Sequence, residues 1–147
     1  YGTDTVTIYI DGDSLSAGFT DMKYCIHRAQ QLDWIVPGYT VVGTGQGRAH
    51  FADCDLIKLA IDARVITAGT TNTTDIDIND DGTSIITTKP SIASGATADL
   101  DNACDAPTTV IAKDSVLTLD IDAISTTPAQ DLYVRLWVYP EAWRYIS

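Results

Sequence analysis

The sequence predicts an all-β domain, an antiparallel β-sandwich of jelly-roll-like type, and three observations predict it. Apolar and polar residues alternate strictly in four stretches, the period of two that marks a strand with one buried face. Turn-forming residues recur at the spacing of about 8–15 residues that sandwiches produce. The acids are almost all Asp, Glu141 being the only Glu, and Thr is abundant; such short polar side chains compete for backbone hydrogen bonds and disfavour helix.

The elements follow in order. Val6, Ile8 and Ile10 alternate with Thr5, Thr7 and Tyr9, which predicts a first strand. Met22 to Leu32 is the one segment open to a helix, since it lacks Gly and Pro, although it shows no clear apolar stripe. Gly43-Thr44-Gly45-Gln46-Gly47 reads as a loop. Leu59, Ile61, Ala63 and Val65 then alternate with Ala60, Asp62, Arg64 and Ile66 as a half-buried strand. Ala68-Gly69-Thr70-Thr71-Asn72 marks another loop, and Asp81-Gly82 fits a two-residue hairpin of type I′. Ser91 to Pro107, rich in Ala, Ser, Thr and Asp, is the candidate for a long exposed loop. Leu117, Leu119 and Ile121 alternate with Thr118, Asp120 and Asp122, and Leu132, Val134, Leu136 and Val138 with Tyr133, Arg135, Trp137 and Tyr139. The last two strands, separated by Thr127-Pro128, suggest a late hairpin.

The 147 residues fit a single domain spanning 1–147. With 9 Lys+Arg against 20 Asp+Glu, the net charge of −11 excludes the basic surface that phosphate binding needs, so no nucleic-acid partner is expected. No apolar run approaches the roughly 20 residues of a membrane span, and no charged start with a short apolar core marks a leader. Cys25, Cys54 and Cys104 have no short metal spacing. One disulfide with one free thiol, and three buried thiols, are both open.

Two short motifs invite chemistry. Asp77, Asn79, Asp81 and Gly82 occupy the first, third, fifth and sixth places of a calcium loop, whose oxygens ring a hard cation. The twelfth place, which needs a bidentate Glu, is Thr88, so a solvated acidic hairpin without metal is expected. A cation there would still screen the repulsion among Asp75, Asp77, Asp80, Asp81 and Asp99. Gly12-Asp13-Ser14-Leu15, with Gly18 beyond it, resembles the first block of the GDSL hydrolases, where that serine is the nucleophile. A serine needs a base, and the family's closing Asp-x-x-His is missing. The only imidazoles, His27 and His50, come too early. A turn is expected at Ser14, and no enzyme; a GDSL-type esterase is kept as an alternative.

From Asp62 the sequence runs DARVITAGTTNTTDIDINDDGTSIITTKPSIASG and, after a polar loop, VIAKDSVLTLDIDAISTTPAQDLYVRLWV. The order of strand and turn text, from Asp62 to Tyr139, resembles a recurring β-sandwich domain of tailed-phage and prophage structural proteins; residues 1–50 have no counterpart in it. The resemblance implies a virion protein: a capsid decoration or cement protein, a head fibre, or a tail-associated component. It carries no catalytic residue and no cofactor. The expected partners are the chain itself, as a trimer, and other virion proteins such as the major capsid protein.

The residues point the same way. If Leu132, Val134, Leu136 and Val138 face the core, then Tyr133, Arg135, Trp137 and Tyr139 line the opposite face, followed by Trp143, Arg144 and Tyr145. Tyr, Trp and Arg dominate interface hot spots. Within one chain, Ala29 to Tyr39 with Trp34 could instead cover that stripe. The alternatives to a virion assembly protein are a tail or baseplate receptor- or carbohydrate-binding module, and a subunit of an extracellular filament.

Overall fold

A computed structural model describes residues 30–103 and 110–141. Among the described residues ten strands run β1 (Gln30–Tyr39), β2 (Gly43–Phe51), β3 (Leu56–Thr67), β4 (Thr74–Asp80), β5 (Thr83–Ser84), β6 (Ser91–Ile92), β7 (Ala98–Ala103), β8 (Val110–Ile111), β9 (Val116–Ala123) and β10 (Gln130–Pro140). All their pairings are antiparallel. One sheet has the order β1-β10-β3-β7, with β8 also on β3; the other has β2-β9-β4-β5, with β6 also on β4. The two pack face to face as a β-sandwich.

The period of two places the core. Ile61, Ala63 and Val65 of β3, Leu132, Val134, Leu136 and Val138 of β10, and Trp34 and Val36 of β1 face Ile76 and Ile78 of β4 and Leu117, Leu119 and Ile121 of β9 in one cluster. Each fully buried Ile or Leu contributes on the order of 1.5–3 kcal/mol. Lys58, also buried, donates from Nζ to the Ile85 carbonyl and so ties β3 to the segment after β5. The Asp81-Gly82 hairpin is the predicted one: Asp80 pairs with Thr83, and both turn residues have positive φ, 48° and 83°.

Several expectations are corrected. β9 and β10 do not form a hairpin, because β9 pairs with β2 and β4 while β10 pairs with β1 and β3. Residues 124–129 cross from one sheet to the other, beside the crossing made by 68–73: Thr70 and Thr127 exchange backbone hydrogen bonds of 3.0 and 3.2 Å, and Thr126 N–H donates to the Thr71 carbonyl at 2.8 Å. The Gly43–Gly47 stretch opens β2 as a bulged edge strand, with Gly45 and Gly47 at positive φ. Ser91 to Pro107 contains β6 and β7. Leu59 is 41 % exposed because the register of β3 against β10 shifts beside it and turns its side chain outward. Gln30 to Leu32 open a strand, not a helix. Residues 22–29 and the Val6–Ile10 strand lie outside the described residues.

Candidate functional site

The outer face of the first sheet is built around β10, the strand flanked by β1 and β3. Because Leu132, Val134, Leu136 and Val138 point into the core, Tyr133, Arg135, Trp137 and Tyr139 stand on the other side, each half-buried. Register then sets three cross-strand rows: Gln31–Trp137–Ala60, Asp33–Arg135–Asp62 and Ile35–Tyr133–Arg64. Four of the predicted interface residues thus share one face. Trp143, Arg144 and Tyr145 lie outside the described residues.

Arg135 organises the face. Its guanidinium carbon lies 5.2 Å from the Tyr133 ring centroid and 5.5 Å from that of Trp137, within cation–π range of both. Its Nη2 donates to the Tyr133 hydroxyl at 2.8 Å and its Nε to Asp33 Oδ1 at 3.4 Å. The hydrogen bond to Tyr133 and, after it, the Asp33 carboxylate push the guanidinium pKa further up. Gln31 Nε2 completes the network, 2.8 and 2.6 Å from the Asp33 carboxylate oxygens and 3.3 Å from the Tyr133 hydroxyl. Side chains two residues apart along β10 are thereby linked to one another. Around them Ile35 is 63 % and Ile66 78 % exposed.

β1 does not cover this stripe. Trp34 is wholly buried in the core, and Asp33 and Ile35 extend the face sideways. The outer edge of β1 is closed by β2: His50 Nε2 lies 2.8 Å from the Asp33 carbonyl, its ring meets Trp34 edge-on at 4.6 Å, and Gly47 (φ 74°) admits the Ile35 carbonyl so closely that a Cβ would stand 3.2 Å from it. That shields backbone groups which an open edge would offer for strand pairing. Among the described residues the Trp34 indole N–H has no hydrogen-bond partner.

The acidic hairpin is engaged internally. Asp77 pairs with Lys89 Nζ at 2.8 Å and accepts from Ser84 Oγ at 2.7 Å, while Lys89 also reaches Asp122 at 2.7 Å. Asn79 Nδ2 donates to Asp120 Oδ2 at 2.8 Å, and Asp81 Oδ1 accepts from Val116 N–H at 3.0 Å. Asp77, Asn79 and Asp81 therefore turn to three different partners instead of one centre. No group of three metal-ligating side chains occurs among the described residues. The hydrogen bonds to Asp122 and then Asp77 raise the Lys89 pKa well above the ordinary lysine value.

Ser14, His27, Cys25 and Cys104 lie outside the described residues. Cys54 is a free, half-buried thiol whose pKa is raised by burial first and then by Asp53 and Asp55. Among the described residues no helix is long and apolar enough to cross a membrane. Sequence reasoning found the aromatic stripe but missed Asp33, Gln31, Asp62 and Arg64, which only the strand register brings to it. No family model, curated protein or solved structure matches the chain.

Proposed function

We propose that this chain is a non-enzymatic structural protein that works by assembly, and that the Tyr133–Arg135–Trp137 face is the surface through which it docks on other protein subunits. The observation that carries this is the ordered ladder itself. Arg135 lies over the Tyr133 and Trp137 rings and is tied to Asp33, while Gln31 reaches Asp33 and the Tyr133 hydroxyl, beside the exposed Ile35 and Ile66. That is the residue chemistry of interface hot spots, and order already present lowers the entropy cost of binding. The guanidinium lies over one side of both rings, which favours a protein partner over a sugar that would stack on open ring faces.

The setting we propose is a tailed-phage or prophage virion, with the chain as a capsid decoration, cement or head-fibre protein contacting the major capsid protein. The Asp62 to Tyr139 text and the sandwich fold support it. Electron microscopy of the purified chain with phage capsids and tails tests it, alongside Trp137→Ala. The expected result is regular decoration that weakens at least about thirtyfold in the variant. No binding to any particle component, or equal binding by native chain and variant, overturns it.

A further inference from the structure

The two ends of the sandwich differ in charge. At one end the connections 40–42, 68–73, 93–97 and 124–129 are bonded into a single cap. Thr40 N–H donates to the Ala129 carbonyl at 2.9 Å, Gly95 N–H to the Gly69 carbonyl at 2.9 Å and Thr71 N–H to Ser94 Oγ at 2.8 Å, beside the Thr70–Thr127 pair. No charged residue occurs in any of these connections. At the other end, residues 52–55, 81–82, 112–115 and 141 are joined in the same way and carry Asp53, Asp55, Asp81, Asp114 and Glu141 against Lys113. A chain of net charge −11 thus keeps one end free of charge. The acids next behind that end, Asp75, Asp99, Asp122 and Asp131, stand within strands and accept from Ser91 Oγ, Ser91 N–H, Lys89 Nζ and Gly38 N–H. Arg64 stands deeper in its sheet, level with Tyr133.

Exposed apolar side chains gather at the charge-free end. Tyr39, Val41 and Val42, where β1 passes into β2, are 62 %, 60 % and 54 % exposed. Thr40 between them is buried, its Oγ1 donating to the Ala129 carbonyl at 3.2 Å, and Asp131 holds the Gly38 N–H at 2.8 Å. The backbone is therefore anchored while the apolar side chains turn outward. A Cβ on Gly38 or on Gly95 would meet nothing within 4 Å, so the tip stands clear of the other described residues. A projecting apolar tip suits a surface that yields to its shape, and without ionised groups in these loops nothing charged leaves water when the tip enters an apolar medium.

We infer that this end rests on a lipid surface, with Tyr39, Val41 and Val42 entering the interface of a zwitterionic bilayer. Tyrosine suits that depth, its ring among the acyl chains and its hydroxyl among the headgroups. The exposed Thr70, Thr71 and Thr127 bring further hydroxyls to headgroup level. Charge sets the lipid class: the acids behind the tip and the net −11 are repelled by an anionic surface, and the cap offers no Lys or Arg to offset that. The contact is with the surface and spans nothing. It uses an end of the sandwich and leaves the β10 face, on the flank, to its protein partner.

Flotation of the purified full chain with phosphatidylcholine vesicles tests the inference. Three partly inserted side chains bind more weakly than one myristoyl chain, whose constant is on the order of 10⁴ M⁻¹, so about 5 mM lipid is used. The native chain is expected to float, and to float less at low salt when about a third of the lipid is phosphatidylglycerol. Val41→Asp with Val42→Asp changes two exposed side chains, so the fold is retained, and circular dichroism and Tm verify that. Binding by this double variant is expected to weaken at least about thirtyfold. Phe51→Ser, at a 67 % exposed site toward the acidic end, floats as the native chain does. A native chain that stays unbound, a double variant that floats as well as native, or stronger flotation with the anionic vesicles overturns the inference. Decoration of particles that falls in the double variant of a chain binding no vesicles gives the tip to a protein partner and overturns it as well. The dependence of decoration on Trp137 is read separately, so the assembly role stands or falls on its own.

Discussion

Gly69 backs onto Ser125 where the two crossings between the sheets run side by side. A Cβ on Gly69 would stand 2.6 Å from Ser125 Cβ and 2.9 Å from the Thr127 carbonyl oxygen. Gly69→Ala is therefore expected to lower stability by about 1–3 kcal/mol through overpacking. Ser125→Gly in the same chain should restore part of the loss, since the Thr127 contact remains. Denaturant unfolding of the single and double variants measures both; an unchanged midpoint in Gly69→Ala would contradict the tight crossing.

Lys89 ties Asp77 of β4 to Asp122 of β9. Because Asp77 is buried, Lys89→Met is expected to cost about 1–3 kcal/mol by leaving that carboxylate without its counter-charge. The pH dependence has a definite sign. The folded-state pKa of Lys89 lies above its ordinary 10.5, so its contribution is complete below pH 10.5 and declines as the pH climbs beyond that value. Tm recorded against pH should fall in that alkaline range for the native chain and less steeply for Lys89→Met. Parallel curves would remove Lys89 as the cause.

Arg135 touches both rings and Asp33, so lysine cannot replace it: an ammonium has no planar fork to lie over two rings and donate sideways. Arg135→Lys and Arg135→Ala are each expected to lower the denaturant midpoint of unfolding. A double-mutant cycle with Asp33→Ala should show coupling between the two sites. Strict additivity would mean that the observed contact carries no energy.

Cys54 should react slowly, because burial and the charges of Asp53 and Asp55 raise its pKa and only the thiolate is nucleophilic. Timed alkylation of a Cys25→Ser/Cys104→Ser variant at neutral pH should be slower than that of a free thiol and speed up on unfolding. Alkylation as fast as glutathione's would show an activated thiol instead.

Millimolar calcium should leave Tm where a chelator leaves it, since Asp77, Asn79 and Asp81 are held by Lys89, Asp120 and Val116. A rise of several degrees on adding calcium would restore the cation site that the spacing suggested.

How much of this was legible in the sequence depends on the range of the interaction. Alternation at Ile76 and Ile78, or at Leu132 to Val138, states which side chains share a face, and those faces are the core and the candidate site. Asp81-Gly82 declares its own turn. Partner choice is different, because a period of two is equally satisfied in either sheet; the assignment of β9 and β10 to opposite sheets rests on long-range pairing. The shift that turns Leu59 outward, and the glycines that bend β2 along the edge of β1, are likewise set by tertiary fit. The Arg135–Asp33 contact joins residues 102 positions apart, so only the folded register reveals it.

Hydroxyl-radical footprinting of the assembled protein, against the dilute chain, tests the central claim most directly. Oxidation of Ile35, Tyr133, Trp137 and Ile66 is expected to drop on assembly while that of Phe51, exposed on the other sheet, stays constant. Equal oxidation of those four side chains in both states, with protection elsewhere, would contradict it.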